Sequence, residues 1–282
     1  MDFDDYWAAV DNELAAIPAR PVLDVVPARA TDEATSYTVR LTSTGPYRVF
    51  GHLSIPTGDG RFPALLQTPR YGSVNHVPHP NDRSRYVVFG LMHRGQRLAD
   101  EGFSAAYPGL LTMGIDDPAS YIYRGIAADC LRAAEFLLGL SEADPARVAV
   151  TGDDLAVLTA ARRPGFTALR VTDLLFYRAM EARLKSSSYP LEELNDHLRA
   201  GSSVQIVDNT LSYFDPTRHA SAVTATSLVA ADDQDWCAPL INALPAASVY
   251  KLTHLDATDN DFLDAWLAEL SGVPPMSRFL VG

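Results

Sequence analysis

From Asp4 to Ile17 the apolar residues Tyr6, Ala9, Val10, Leu14 and Ile17 recur at helical spacing, and Pro18 ends the run. One apolar stripe of this kind predicts an amphipathic helix at the entry of the chain. From Tyr37 to Ile55 the period changes to two: YTVRLTS and VFGHLSI flank the turn residues Thr44-Gly45-Pro46, which predicts an antiparallel hairpin. The runs Ala64–Gln67, Tyr86–Met92 and Val148–Thr151 are short and unbroken, as in strands covered on both faces, with a helix over Ile126–Leu140 between the last two. Ser203–Val207, Thr226–Ala231 and Ser248–Leu252 read as further strands, alternating with helical patterns such as Phe262–Leu270. Strand alternating with helix predicts the α/β class, a mostly parallel sheet with helices on both faces. The segment at about 178–200 has a helical period, but it is polar and interrupted by Ser186-Ser187-Ser188. It fits equally a partly exposed cap over a site or a surface helix with a loop.

Composition narrows this picture. With 282 residues, 47% of them hydrophobic and 21% charged, the chain can bury one large core, so one domain over 1–282 is expected, with residues 1–35 as an N-terminal helix and extension. A net charge of −12 repels phosphate backbones and anionic lipid, so neither nucleic acid nor membrane is an expected partner. The N-terminus is acidic and lacks the basic and apolar regions of a signal peptide, and no apolar run approaches the roughly 20 residues that span a bilayer. A cytoplasmic location is the expectation. Cys130 and Cys237 form no disulfide framework and read as buried thiols. No G-x-G-x-x-G or phosphate loop occurs, so no cofactor is expected. No metal is expected either: the acidic loop Asp232-Asp233-Gln234-Asp235 reads as a solvated turn or an acid partner for a histidine, and His76 and His79 as members of a surface loop.

The stretch with the clearest chemistry is Arg147–Ala161, RVAVTGDDLAVLTAA, a buried strand, a tight turn and a helix start. In the nucleophile elbow G-x-S-x-G the serine sits on such a turn. Here the frame is Gly152-Asp153-Asp154-Leu155-Ala156, with aspartate at the serine position. Around it lie Arg94-Gly95-Gln96, Pro108–Ile115, Tyr121–Gly125 leading into Asp129–Phe136, Asp144–Arg147, Thr210–Asp215, Cys237-Ala238-Pro239 and Asn242–Pro245. In their order and content these motifs resemble the acetyl xylan esterase and cephalosporin C deacetylase family, carbohydrate esterase family seven, of the α/β-hydrolase superfamily, from Tyr6-Trp7 to about Trp266. The resemblance implies an α/β-hydrolase fold, a small-molecule substrate and a homo-oligomer. It puts the family's serine on Asp154, its histidine on His254, its oxyanion-hole amides on Tyr71 and Leu155, and its acid on Gln234. The departures gather at the site: Asp154 for serine, Gln234 for aspartate with Asp232, Asp233 and Asp235 around it, Ala156 for glycine, and Leu255 for the glutamate that would pair with Arg94. Arg94-Gly95-Gln96 reads as a loop-holding element, not a chemical one.

An aspartate at the elbow is an anion at neutral pH without help from a base, given an ordinary pKa of about 3.9. Attack on an ester would give a reactive mixed anhydride, whereas displacement at a saturated carbon would give an ordinary alkyl ester, as in epoxide hydrolases and haloalkane dehalogenases, which place aspartate here. The favoured expectation is therefore hydrolysis through Asp154 as nucleophile, His254 as base for water and Asp235 as the acid partner, with an oxyanion hole at Tyr71 and Leu155. Two alternatives stand beside it: an ester hydrolase or deacetylase using Asp154 as a base, and a catalytically silent scaffold.

Overall fold

The computed structural model describes residues 2–72, 77–99 and 102–279; His76 lies outside them. Among the described residues nine strands form one sheet: β1 (Val22–Val25), β2 (Ala34–Ser43), β3 (Tyr47–Pro56), β4 (Phe62–Gln67), β5 (Val87–Leu91), β6 (Ala143–Gly152), β7 (Ala168–Thr172), β8 (Thr226–Ala231) and β9 (Ala247–Lys251). Their order is β1-β2-β3-β5-β4-β6-β7-β8-β9. The pairs from β1 to β5 through β3 are antiparallel, and those from β5 onward are parallel. The predicted hairpin is β2–β3, with Ser43 opposite Tyr47 across the turn.

The helices are α1 (Phe3–Ala16), α2 (Pro80–Arg83), α3 (Ile122–Leu138), α4 (Asp154–Arg162), α5 (Ala179–Ala182), α6 (Leu191–Arg199), α7 (Val204–Ser212), α8 (Thr217–Ala220), α9 (Gln234–Ala243) and α10 (Asp256–Ser271). Side chains alternate across a strand, so neighbouring residues feed two different cores. Ala64, Leu66, Val148, Val150, Leu169 and Val171 join the large core that contains α3 and α4. Leu65, Ala149 and Ala168 face the other way, against Leu267 of α10. α10 stops where Gly272 takes a left-handed conformation, φ 65°, and the Val273 amide closes on the Ala268 carbonyl, a C-terminal geometry that glycine adopts at least cost.

Two parts of the sequence-based reading change. Ser203–Val207, expected to be a strand, is the start of α7. Its β-branched residues imitate a strand, but its buried positions Val207, Thr210 and Leu211 follow helical spacing. β7 also pairs directly with β8, which leaves no place between them. β7 itself escaped notice because Arg170 interrupts its apolar run. In the segment at 178–200 two helices form, α5 and α6, and Glu193 of α6 is buried, accepting a hydrogen bond from the Leu111 amide at 3.1 Å. Both cysteines are free and buried. Among the described residues no helix is long and apolar enough to cross a membrane.

Candidate active site

The turn from β6 into α4 is built by Gly152, Asp153 and Asp154. A Cβ on Gly152 would lie 1.9 Å from Thr68 Oγ1, so only glycine lets β6 and the end of β4 come this close. Asp153 is the N-cap of α4: its backbone is extended at φ −96° and ψ −150°, and its carboxylate accepts from the Leu155 amide at 2.9 Å. This cap satisfies a helix donor that would otherwise be orphaned. It also occupies the amide expected to stabilise an oxyanion. Asp154 is the first helical residue and is not among the residues with positive φ. The strained elbow therefore does not form.

The Asp154 side chain is turned into the protein, with the residue only 1% exposed. Oδ2 accepts from the Leu175 amide at 2.5 Å and Oδ1 from the Tyr177 amide at 2.9 Å, in the loop that follows β7. Burial pushes its pKa up to about 7, against the opposing pull of the amides of Leu175, Phe176 and Tyr177. Asp153 is raised as well, by burial and then by the neighbouring Asp154. Two adjacent carboxyls away from water disfavour a second negative charge.

The loop after β9 carries His254 in a left-handed conformation, φ 59°. Its amide donates to Asp259 Oδ2 at 3.0 Å, and the Asp259 carboxylate also gathers Tyr250 Oη at 2.8 Å and Thr253 Oγ1 at 2.7 Å. These bonds tie the loop to the first turn of α10. The imidazole is largely exposed, and its Nε2 lies 3.0 Å from Asp232 Oδ1. The expected acid partner, Asp235, instead sits in the first turn of α9, whose N-cap is Asp233. Capping by Asp233 starts the helix one residue before Asp235 and leaves Asp232 just after β8, beside the β9 loop. Gln234, where the resemblance put an acid, is the first residue of the same helix.

Tyr71, expected to lend an oxyanion-hole amide, follows β4, and its ring meets Tyr107 edge-on at 5.1 Å. A residue that the sequence did not single out, His93, holds this loop: its Nε2 lies 2.8 Å from the Arg70 carbonyl, and complete burial pushes its pKa down to about 4. A neutral imidazole must donate to that carbonyl. Only the contact, not the sequence Met92-His93-Arg94, distinguishes it from any core histidine. Arg94 acts as a loop-holding residue. Its guanidinium meets Asp129 at 2.6 and 2.8 Å and Thr44 through both the carbonyl and Oγ1.

A cleft of about 850 Å³ opens at the carboxyl ends of β4, β6 and β7 and runs down to α10, lined among others by Thr68, Gly152, Arg170, Asp173, His254 and Leu267. Asp154 does not line it. The structure thus brings His254 and Asp232 together and separates both from the Asp154 carboxylate, which belongs to the loop after β7.

With this geometry in hand, comparison with known proteins is informative. The acetyl xylan esterase (AXE1) family profile matches residues 1–266. The acetyl esterase Axe7A of Xylanibacter ruminicola is 24% identical over 246 residues, which are 79% of this chain and 54% of that protein, so the chain spans about half the length of this curated relative. An acetyl xylan esterase from a Paenibacillus species superposes with a TM-score of 0.81 at 23% identity, covering 97% of this chain and 95% of the other. Acetyl xylan esterase 1 from a Thermoanaerobacterium species gives 0.81 at 20% identity, covering 95% and 93%. The fold is the α/β-hydrolase fold.

Proposed function

Because the chain belongs to the acetyl xylan esterase family and is a hydrolase of the α/β-hydrolase fold, we propose that it hydrolyses carboxylic esters of small molecules, acetyl esters foremost, by direct attack of water. The observation that carries this reading is the His254–Asp232 pair, 3.0 Å apart, with His254 lining the cleft. With Nε2–H donating to Asp232, Nδ1 keeps its lone pair and takes the proton of a water that attacks the acyl carbon. The tetrahedral oxyanion then collapses, and the departing alkoxide recovers the proton from the imidazolium, which the Asp232 carboxylate stabilises meanwhile. Of the two expected oxyanion donors, the Tyr71 amide retains that role in the proposal. The Leu155 amide is engaged by Asp153.

Displacement through an alkyl ester on Asp154 requires a carboxylate that is ionised and reachable. Its burial and its raised pKa weigh against both conditions. The same burial weighs against Asp154 as the base for water, which leaves His254 in that role. A single turnover of 4-nitrophenyl acetate in ¹⁸O-labelled water, with enzyme in excess, tests for a covalent intermediate on Asp154. Label in the released acetate and none in the peptide Val148–Arg162 is the expected result. Label in that peptide, or turnover of epoxides or haloalkanes in preference to esters, would move the chemistry to Asp154. A protein that binds ligand in the cleft yet turns over no ester, epoxide or haloalkane would be a silent scaffold.

A further inference from the structure

Arg170 occupies the third position of β7, in register with Thr151 of β6 and Leu228 of β8. Leu169 and Val171 point into the large core, whereas Ala168 and Arg170 point toward α10. A guanidinium in the middle of a parallel sheet, at a position that ordinarily packs an apolar side chain, is costly unless it is paired. Among the described residues its hydrogen bond runs from Nη1 to the Leu263 carbonyl at 3.0 Å. Three of the five aspartates that line the cleft, which include Asp256 and Asp259, are engaged by arginines. Arg70 holds Asp173 at 2.6 Å, Arg278 holds Asp82 at 2.6 Å, and Asp264 receives both Arg85 nitrogens, at 2.5 and 3.1 Å, and the Met276 amide at 2.7 Å. Among the described residues, Arg170 is the one guanidinium lining the cleft that has no carboxylate within ion-pair distance.

We propose that the floor of the cleft binds the oxyanion of a small molecule, a carboxylate or a phosphate, on the guanidinium of Arg170, so that the ester substrate carries an acidic group. The second half rests on the ester-hydrolase reading above; the binding itself does not. Arg170 is pushed down to about 10, chiefly by burial, with the attraction of Asp82 and Asp264 opposing this and the repulsion of Arg278 and Arg70 adding to it. It remains a cation at neutral pH, half-buried and open to the cleft, where an oxyanion would pair with it directly. A planar guanidinium matches either oxyanion with two parallel hydrogen bonds.

The test is calorimetry and thermal shift on the full chain at low ionic strength, with glucuronate, its neutral counterpart glucose, and inorganic phosphate as probes. Glucuronate, phosphate or both should bind and raise Tm while glucose does neither; whichever binds tighter identifies the oxyanion. Arg170→Met should abolish the shift, and Arg170→Lys should retain binding at roughly a tenth of the affinity. In hydrolysis, Arg170→Met should raise KM for acetylated glucuronate by about ten- to a hundredfold and KM for acetylated glucose far less. No anion-dependent shift in the wild type, which needs no variant to fold, would overturn the proposal, as would an equal shift in Arg170→Met. Binding without any ester turnover would instead remove the catalytic reading and leave this site standing.

Discussion

Asp154 gives up hydration and receives two backbone N–H groups from a loop 21 and 23 residues away in the chain. With its pKa raised from 3.8 to about 7 in the folded protein, the folded state holds a proton that the unfolded chain has released. The corresponding stability is present below about pH 4 and is lost as pH rises through about 7. Urea unfolding of the wild type and Asp154→Asn across this range should show the wild type losing stability relative to the variant as pH rises; a constant difference would mean that Asp154 stays ionised throughout. At the same scale, His254→Gln should lower kcat for 4-nitrophenyl acetate by roughly 10²–10⁴-fold, the usual worth of a positioned base. Asp232→Asn should cost about tenfold, consistent with an exposed pair, and Asp235→Asn should leave the rate unchanged. The reverse ranking of the two aspartates would restore Asp235 as the acid.

Between elements, two close approaches hold the cleft's frame. β6 and β4 meet at Gly152 and Thr68, where a methyl group would overlap Thr68 Oγ1 at 1.9 Å. Gly152→Ala should therefore destabilise by ~1–3 kcal/mol in urea unfolding, and adding Thr68→Ala should recover most of the loss, because the obstructing atom is then gone. A failure of the double variant to recover would locate the strain in the backbone. The turn between β2 and β3, the loop after β5 and α3 meet at Arg94, whose bidentate bonds to Asp129 are buried. Arg94→Met strands the Asp129 carboxylate and should cost ~3–5 kcal/mol, while Arg94→Met with Asp129→Leu should cost much less, since no buried charge then remains.

At the scale of the whole molecule, the first helix closes the large core against the segment that precedes β8. Trp7 is fully buried, its Nε1 donates to the Tyr213 carbonyl 206 residues away, and Tyr6 stacks on Tyr213 with ring centroids 4.1 Å apart. Trp7→Ala should lower stability by ~3–5 kcal/mol. Thermal unfolding followed by near- and far-ultraviolet circular dichroism should still give one transition at a lower temperature. Separate transitions for the two probes would show that α1 comes away from the rest as an independent unit.

Alternation and periodicity were enough to place the β2–β3 hairpin, the central parallel strands, α1, α3 and α10, because a strand or a helix is selected by which neighbouring residues share a face, a property of a few consecutive positions. The ordered motifs from Tyr6 to Trp266 identified the family for the same reason: each is a short, local run of residues. What escaped the sequence depends on partners far along the chain. The β-branched residues of Ser203–Val207 imitate a strand until the direct pairing of β7 with β8 leaves no place for one. Asp153 and Asp154 are indistinguishable by residue type, yet one caps α4 and the other binds the loop after β7, because that loop's amides converge on the second carboxylate only once the sheet has formed. Asp232 and Asp235 compete for His254 on equal terms until Asp233 starts α9 and turns Asp235 into its first turn. Local physics selects the elements; the meeting of side chains with distant backbone, decided by packing, selects which of the expected residues reach the cleft.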